Sequence, residues 1–186
     1  DAVGESLKTG LETFTDGVRK FWGPLSSEVV HDSRRQMEAL LQAPPSEAWL
    51  SQLHREAPAS AELYRDPKHG FVLLAHTEYA GLYRAPHDHG RSWVIYGVQQ
   101  GEVEMGSYGR IVDDAGKVRL VKRDAVIVRP GQALVYLPGD IHDTRCLTET
   151  ALLFRFTERD LKLEDQRDHQ ITRYVQENGA WTAGPR

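Results

Sequence analysis

Apolar residues recur at three- and four-residue spacings over residues 7–42: Leu7, Leu11, Phe14, Val18, Phe21 and Trp22, then Val29, Val30, Met37, Leu40 and Leu41. That period puts one buried stripe on a helix, and Gly23 with Pro24 divides the stretch into two helices. After Pro44 and Pro45, Ser46 is placed to cap a third short helix over about residues 47–55, its hydroxyl accepting from the free N–H groups of the first turn. Near Glu62 the pattern changes. Segments 71–79, 93–98, 102–108, 117–121, 125–128, 133–137 and 151–157 are short, rich in Val, Leu, Ile and aromatics, and separated by Gly, Pro or Asp clusters, which predicts strands. Asp114-Ala115-Gly116 and Arg129-Pro130-Gly131 supply turn chemistry between them. Consecutive hairpins of this kind close into a sandwich, barrel or jelly roll. The charged run 159–170 reads as a solvated loop or short helix, and 171–175 as a returning edge strand.

Composition narrows the class without changing this outline. With 186 residues, 40% of them hydrophobic, the chain is long enough for one core without disulfide or zinc staples and too short for two full domains. We therefore expect a helical segment, 1–60, packed on a barrel, 61–186. The balance of 23 Lys plus Arg against 27 Asp plus Glu, a formal charge of −4, lacks the basic footprint of a nucleic-acid binder. No run approaches the roughly 18 apolar residues of a membrane span, so neither nucleic acid nor membrane is the expected partner. The single cysteine, Cys146, cannot form an intramolecular disulfide and is silent on redox compartment. The first 22 residues carry no signal-like apolar block, so a cytoplasmic location is expected, although the missing initiator Met leaves room for trimming before Asp1.

Of the eight histidines, His31, His54, His69, His76 and His169 lack clustered partners and read as surface or core residues. His87 and His89 differ, because they follow Pro86, precede Gly90, and lie between two apolar strands. On extended backbone, residues i and i+2 face the same way, so both imidazoles can meet one ion. His142, at the turn-to-strand junction Leu137-Pro-Gly-Asp-Ile-His142, is the third candidate ligand. Three neutral imidazoles leave positions open on a divalent ion for water, dioxygen or substrate. The alternative is a chance His-x-His pair on a solvated loop with an unrelated turn histidine.

The spacing Gly81, His87-Asp88-His89, Gly101 resembles the first cupin motif, and Pro138-Gly139-Asp140-Ile141-His142 is similar to the second in a shortened form. The resemblance covers roughly residues 64–157 and implies a mainly β fold, the double-stranded β-helix or small jelly roll, with the ion between its sheets. Where the pattern usually carries a Glu, this chain has Trp93 or Val94, so the implied site is all histidine. That set, the phrase Pro86-His-Asp-His-Gly-Arg-Ser-Trp93, and a helical first third resemble cysteine dioxygenase-type thiol dioxygenases. The resemblance implies ferrous iron on His87, His89 and His142, with Ni, Zn or Mn as other divalent ions the same ligands accept. It also implies a small thiol acid and O2 as reactants; cupins often pair through sheet edges, so a homodimer is one option for an oligomeric state that the sequence leaves open. Neutral ligands leave the ion's charge intact, which favours a thiolate over a thiol at neutral pH.

In that family an arginine pairs with the substrate carboxylate, and Arg65 lies where it is expected; alternatively Arg65 makes only a surface ion pair with Asp66. The family's cysteine–tyrosine cross-link and late-strand histidine map onto Val94, Thr157 and Arg155, so the cross-link cannot form, and Arg155 becomes a second candidate for an anionic substrate. Tyr83, Arg84, Trp93, Tyr96 and Tyr136 flank the motifs as pocket or core residues. Cys146 reads as a metal-facing thiol or a small buried hydrophobe. Asp88 and Asp140 read as turn residues or as carboxylates that orient a metal-bound His. A cupin oxygenase, hydrolase or isomerase on another small acid, and a ligand-binding cupin without turnover, are the alternatives.

Overall fold

The computed structural model describes residues 7–185. The first third forms α1 (Gly10–Lys20), α2 (Ser27–Leu40) and α3 (Ala48–Glu56), with Gly23 and Pro24 in the break between the first two. Thr9 and Glu12 close a reciprocal capping box on α1, and the Ser26 hydroxyl accepts from Val29 N–H on α2. Ser46 does not cap α3. Glu47 occupies the cap position, makes no cap bond there, and instead accepts from Gly10 N–H at 2.8 Å and Trp49 Nε1–H at 3.0 Å. Its charge thus serves the free N–H groups of α1 and ties the two helix starts together.

The strands are β1 (Ala61–Arg65), β2 (Val72–Tyr79), β3 (Tyr83–His87), β4 (Val94–Gln100), β5 (Val103–Val112), β6 (Val118–Val128), β7 (Ala133–Tyr136), β8 (Ile141–Cys146) and β9 (Thr150–Thr157). Their antiparallel pairs are nested: β5 with β6, β4 with β7, β3 with β8, and β2 with β9. Successive pairs fall in alternate sheets, of order β1-β2-β9-β4-β7 and β3-β8-β5-β6. A hairpin wound this way is a double-stranded β-helix, the cupin jelly roll.

Strand alternation gives the larger sheet two apolar faces. Trp93, Ile95, Phe71, Leu73, Ala75, Phe154 and Phe156 pack outward against Phe14, Val18, Met37, Leu40 and Leu50 of the helices. Val94, Tyr96, Val98 and Leu153 pack inward with Val103, Met105 and Tyr136. Gly97 lets α2 approach, since a Cβ there would lie 2.8 Å from Met37 Sδ and 3.0 Å from Leu41 Cδ1.

Two expectations need correction and a third is met. Segments 117–121 and 125–128 are one strand: the charged Lys122-Arg123-Asp124 lies on the exposed edge β6, where Arg123 is the extra residue of a bulge opposite Ser107 and Tyr108. The run 159–170, expected as a solvated loop or short helix, does contain a short helix, the π-helical turn Leu163–Arg167. Residues 171–175 do not return to either large sheet as an edge strand. β10 (Tyr174–Glu177) pairs only with β11 (Ala180–Ala183), apart from a bridge from Arg173 to His87.

Candidate metal centre

His87 ends β3 and is the register partner of His142 on β8. The chain then turns at Gly90, whose φ of 63° is left-handed and whose Cβ would meet the Glu164 carboxylate at 2.7 Å. Asp88 holds this turn by accepting from Gly90 N–H at 3.1 Å and from Thr172 N–H at 2.9 Å. The turn sends His89 into the barrel, where it and His142 are buried at 2% and 0% exposure.

The three rings converge. Their centroids lie 4.7 to 5.1 Å apart, and one ligand nitrogen from each falls within 4.8 Å of the others. His89 Nε2 and His142 Nε2 are 3.3 Å apart, at the upper end of the about 3.0–3.3 Å that separates adjacent ligands, right-angled or tetrahedral, held at roughly 2.0–2.1 Å from an ion. The Nδ1–H of His87 donates to the Ala85 carbonyl at 2.9 Å, which leaves its Nε2 lone pair free. Burial holds His87 below the ordinary imidazole pKa and His89 and His142 well below it, so all three are neutral donors at pH 7. Nitrogen donors without a carboxylate fit a divalent transition metal better than Mg or Ca. Asp88 and Asp140 do not orient these rings. Asp88 serves the turn, Asp140 accepts from Leu137 N–H at 2.7 Å, and the Nδ1 atoms of His89 and His142 have no partner among the described residues.

A cavity of about 620 Å³ opens beside the histidines. Arg155 faces it from β9, in register with Leu74 on β2 and Tyr96 on β4. Its Nε is buried without a partner, and among the described residues no carboxylate pairs with it. His76 and Glu78 share one face of β2 on the same wall. Glu78, 2% exposed, pairs with Arg84 at 3.3 Å. Burial, then the charges of Arg155 and Arg84, push His76 down to about 4; its Nδ1 faces the Ala59 carbonyl at 3.3 Å and its Nε2 is buried without a partner. The strap after β9 supplies Lys162, Asp165 and Arg173, the last two joined by contacts of 2.8 and 2.9 Å.

The structure brings His87, His89 and Arg155 to the wall of this cavity, with His142 buried against the two imidazoles, but it does not bring Arg65 there. The Arg65 guanidinium is half-exposed on β1, 2.6 Å from both Glu62 and Asp160, outside the cavity lining. Nor does it pair with Asp66, which takes Tyr64 Oη–H at 2.7 Å and Arg19 at 3.2 Å. Val94 and Thr157 face each other across β4 and β9, so the two positions read as unable to cross-link are direct neighbours. Trp93 faces the helices, while Tyr83 and Arg84 line the cavity. Tyr136 lies against His142 with centroids 4.2 Å apart. Cys146 is buried in the inner core, donates to the Thr148 carbonyl, and is pushed up by burial. His76 and the strap were missed. The spacing of His76 and Glu78 on one strand face was their only signal in the sequence.

No protein-family model and no curated protein matches the chain. Solved structures do resemble it. The cupin domain of Cnp3 from Schizosaccharomyces pombe is 12% identical over 60% of this chain and 66% of that one, with a TM-score of 0.43. KdgF from Halomonas sp. is 22% identical over 54% and 78%, at 0.42, and oxalate oxidase in complex with glycolate is 23% identical over 54% and 51%, at 0.41. The chain thus spans just under two thirds of the Cnp3 domain structure and about half of the oxalate oxidase.

Proposed function

We propose that this chain is a mononuclear iron-dependent oxygenase that adds both atoms of O2 to the sulfur of a small thiol acid, giving the sulfinate. The observation that carries the reading is a group of neutral imidazoles beside a cavity whose facing wall presents an arginine without a carboxylate partner. His87, His89 and His142 would hold the ion. When bound, ferrous iron would supply a redox-active Lewis acid with open positions for a thiolate and dioxygen. Arg155 binds and orients the substrate carboxylate, a bidentate role its planar fork suits. The His76 Nε2 lone pair, its tautomer set by the Ala59 carbonyl, is a neutral acceptor on the same wall for the S–H of the incoming thiol, or for the N–H of a substrate amine. The strap over the cavity, pinned by Glu164 on Arg91, limits water near the reacting sulfur.

Oxygen uptake by iron-loaded protein tests this. Uptake is expected with 3-mercaptopropionate and to be weaker with cysteamine, which lacks the carboxylate. No uptake with 3-mercaptopropionate, cysteine or cysteamine would remove the thiol reading. The pairing of Val94 with Thr157, and Arg155 in place of the late-strand histidine, favour as a second reading the same metal centre acting on another small acid.

A further inference from the structure

Tyr96 is a fully buried phenol that none of these roles uses. It lies on β4, in register with Arg155, and its ring faces both His89 and His142, with centroids 5.8 and 5.0 Å away. Its Oη is 3.0 Å from His89 Nε2, the nitrogen that also lies 3.3 Å from His142 Nε2. Atoms bound to one ion at about 2.1 Å and at right angles are separated by about 3.0 Å. The phenol oxygen therefore sits at the spacing of a neighbouring ligand rather than behind the imidazole.

The hydrogen bond points the same way. His89 Nε2 can accept from Tyr96 only through the lone pair that would bind a metal, so an ion there takes away the phenol's acceptor. Arg155 also bonds this phenol but can only donate to its oxygen, so the O–H is left without an acceptor; a buried donor in that state costs about 1–3 kcal/mol, and ligation by the oxygen avoids that loss. Burial raises the Tyr96 pKa, while the Arg155 guanidinium beside the phenol acts in the opposite direction.

Resting on the metal reading of the three histidines, we propose that Tyr96 Oη is a fourth protein ligand of the bound ion. On binding, the O–H bond breaks, the proton leaves to solvent through the cavity, and an oxygen–metal bond forms with no change of oxidation state. A six-coordinate ion would keep two positions for substrates. Arg155 then has two partners, the Tyr96 oxygen and the substrate carboxylate, which would place the carboxylate next to the metal.

The test is optical, on full-length protein oxidised after loading with one equivalent of iron. A phenolate-to-iron absorption band in the visible, with tyrosinate ring modes in its resonance Raman spectrum, is expected in the wild type. Y96F should lose the band and Y136F should keep it. Ferric affinity in Y96F should fall by at least the roughly 10- to 100-fold that loss of an outer-shell partner costs. If the wild type binds iron without tyrosinate modes, or if Y96F keeps the band, the assignment is overturned; the Raman reading needs no variant. Failure to bind iron at all would remove the metal reading and this ligand with it, whereas a band without oxygen uptake would leave the ligand standing and remove only the thiol reaction.

Discussion

Glu164 fixes the strap that covers the cavity, and replacing it gives a stability change that can be worked out in advance. Its carboxylate is 2% exposed, accepts from Arg91 N–H at 2.9 Å and Arg91 Nη2–H at 2.7 Å, and lies 3.6 Å from Arg159. Burial raises its pKa, but Arg91 and Arg159 together outweigh that and hold it below the ordinary range. A hydrogen bond to a charged group contributes about 1.5–3 kcal/mol. Arg91 is half-exposed, 51% for its side chain, so solvent screens part of the attraction. In Glu164→Leu the half-exposed arginine keeps Asp168 at 2.9 Å and no buried charge is stranded, so the loss should be about 2–3 kcal/mol. For a chain of this length that corresponds to a Tm lower by roughly 4–12 °C. Arg91→Met removes the guanidinium but leaves the buried carboxylate the main-chain N–H of residue 91 and Arg159 at 3.6 Å, so the loss at pH 7.5 should be about 1.5–3 kcal/mol. Without Arg91 the folded pKa of Glu164 rises, so the variant's deficit should shrink as pH falls towards 5. Thermal and urea unfolding of both variants at pH 7.5 and pH 5 measure these changes. A loss under about 0.5 kcal/mol for Glu164→Leu, or a deficit in Arg91→Met that grows at pH 5, would refute the role assigned to the pair.

Three further outcomes follow from the same geometry. Burial lowers His76, His87, His89 and His142 below 6.5, so the folded metal-free chain binds fewer protons than the unfolded chain under that value. Its stability should therefore fall as pH drops below 6.5 and show no such loss above it, and denaturant unfolding that grows more difficult from pH 6.5 to 5 would contradict this. Gly97→Val should cost about 1–3 kcal/mol by overpacking, because its side chain would press on Met37 and Leu41 of the α2 region; an unchanged denaturation midpoint would mean the helices do not sit on β4. Arg155→Gln should raise the KM for a thiol acid at least about 10-fold, the equivalent of a charge-assisted bond of roughly 1.4 kcal/mol. Arg65→Gln should leave that KM alone and shift stability by no more than about 1 kcal/mol, as an exposed ion pair does; the reverse order would move the anion site out of the cavity.

The helices and the hydrophobic strands were legible because each has an apolar face at its own period, as in Phe14, Val18 and Met37 or in Val94, Tyr96 and Val98. The strands that carry the site were harder to see. In β3 and β8, polar Arg84, His87, His142 and Thr144 line the cavity or hold the ligands, while on the other face of β8 Asp143 accepts from Tyr83 and Tyr108 and Arg145 lies over the Tyr83 ring, so neither strand reads as an aliphatic run. The histidines stood out through the i, i+2 spacing and a turn with Gly90. Arg65 did not reach the site, since nothing in its local sequence tells that Asp160, distant in the chain, would hold it outside. His76 and Tyr96 were hidden for a different reason. An isolated polar tip on a strand takes its meaning from cross-strand neighbours, here Leu153 and Arg155, which only the register supplies.

Calorimetric titration of metal-free protein with zinc and with ferrous iron under anaerobic conditions addresses the three-histidine centre most directly. One equivalent of either ion should bind, with binding abolished in His142→Ala while far-UV circular dichroism stays unchanged. Absence of binding in the wild type, or an unaltered isotherm in His142→Ala, would contradict the existence of this centre.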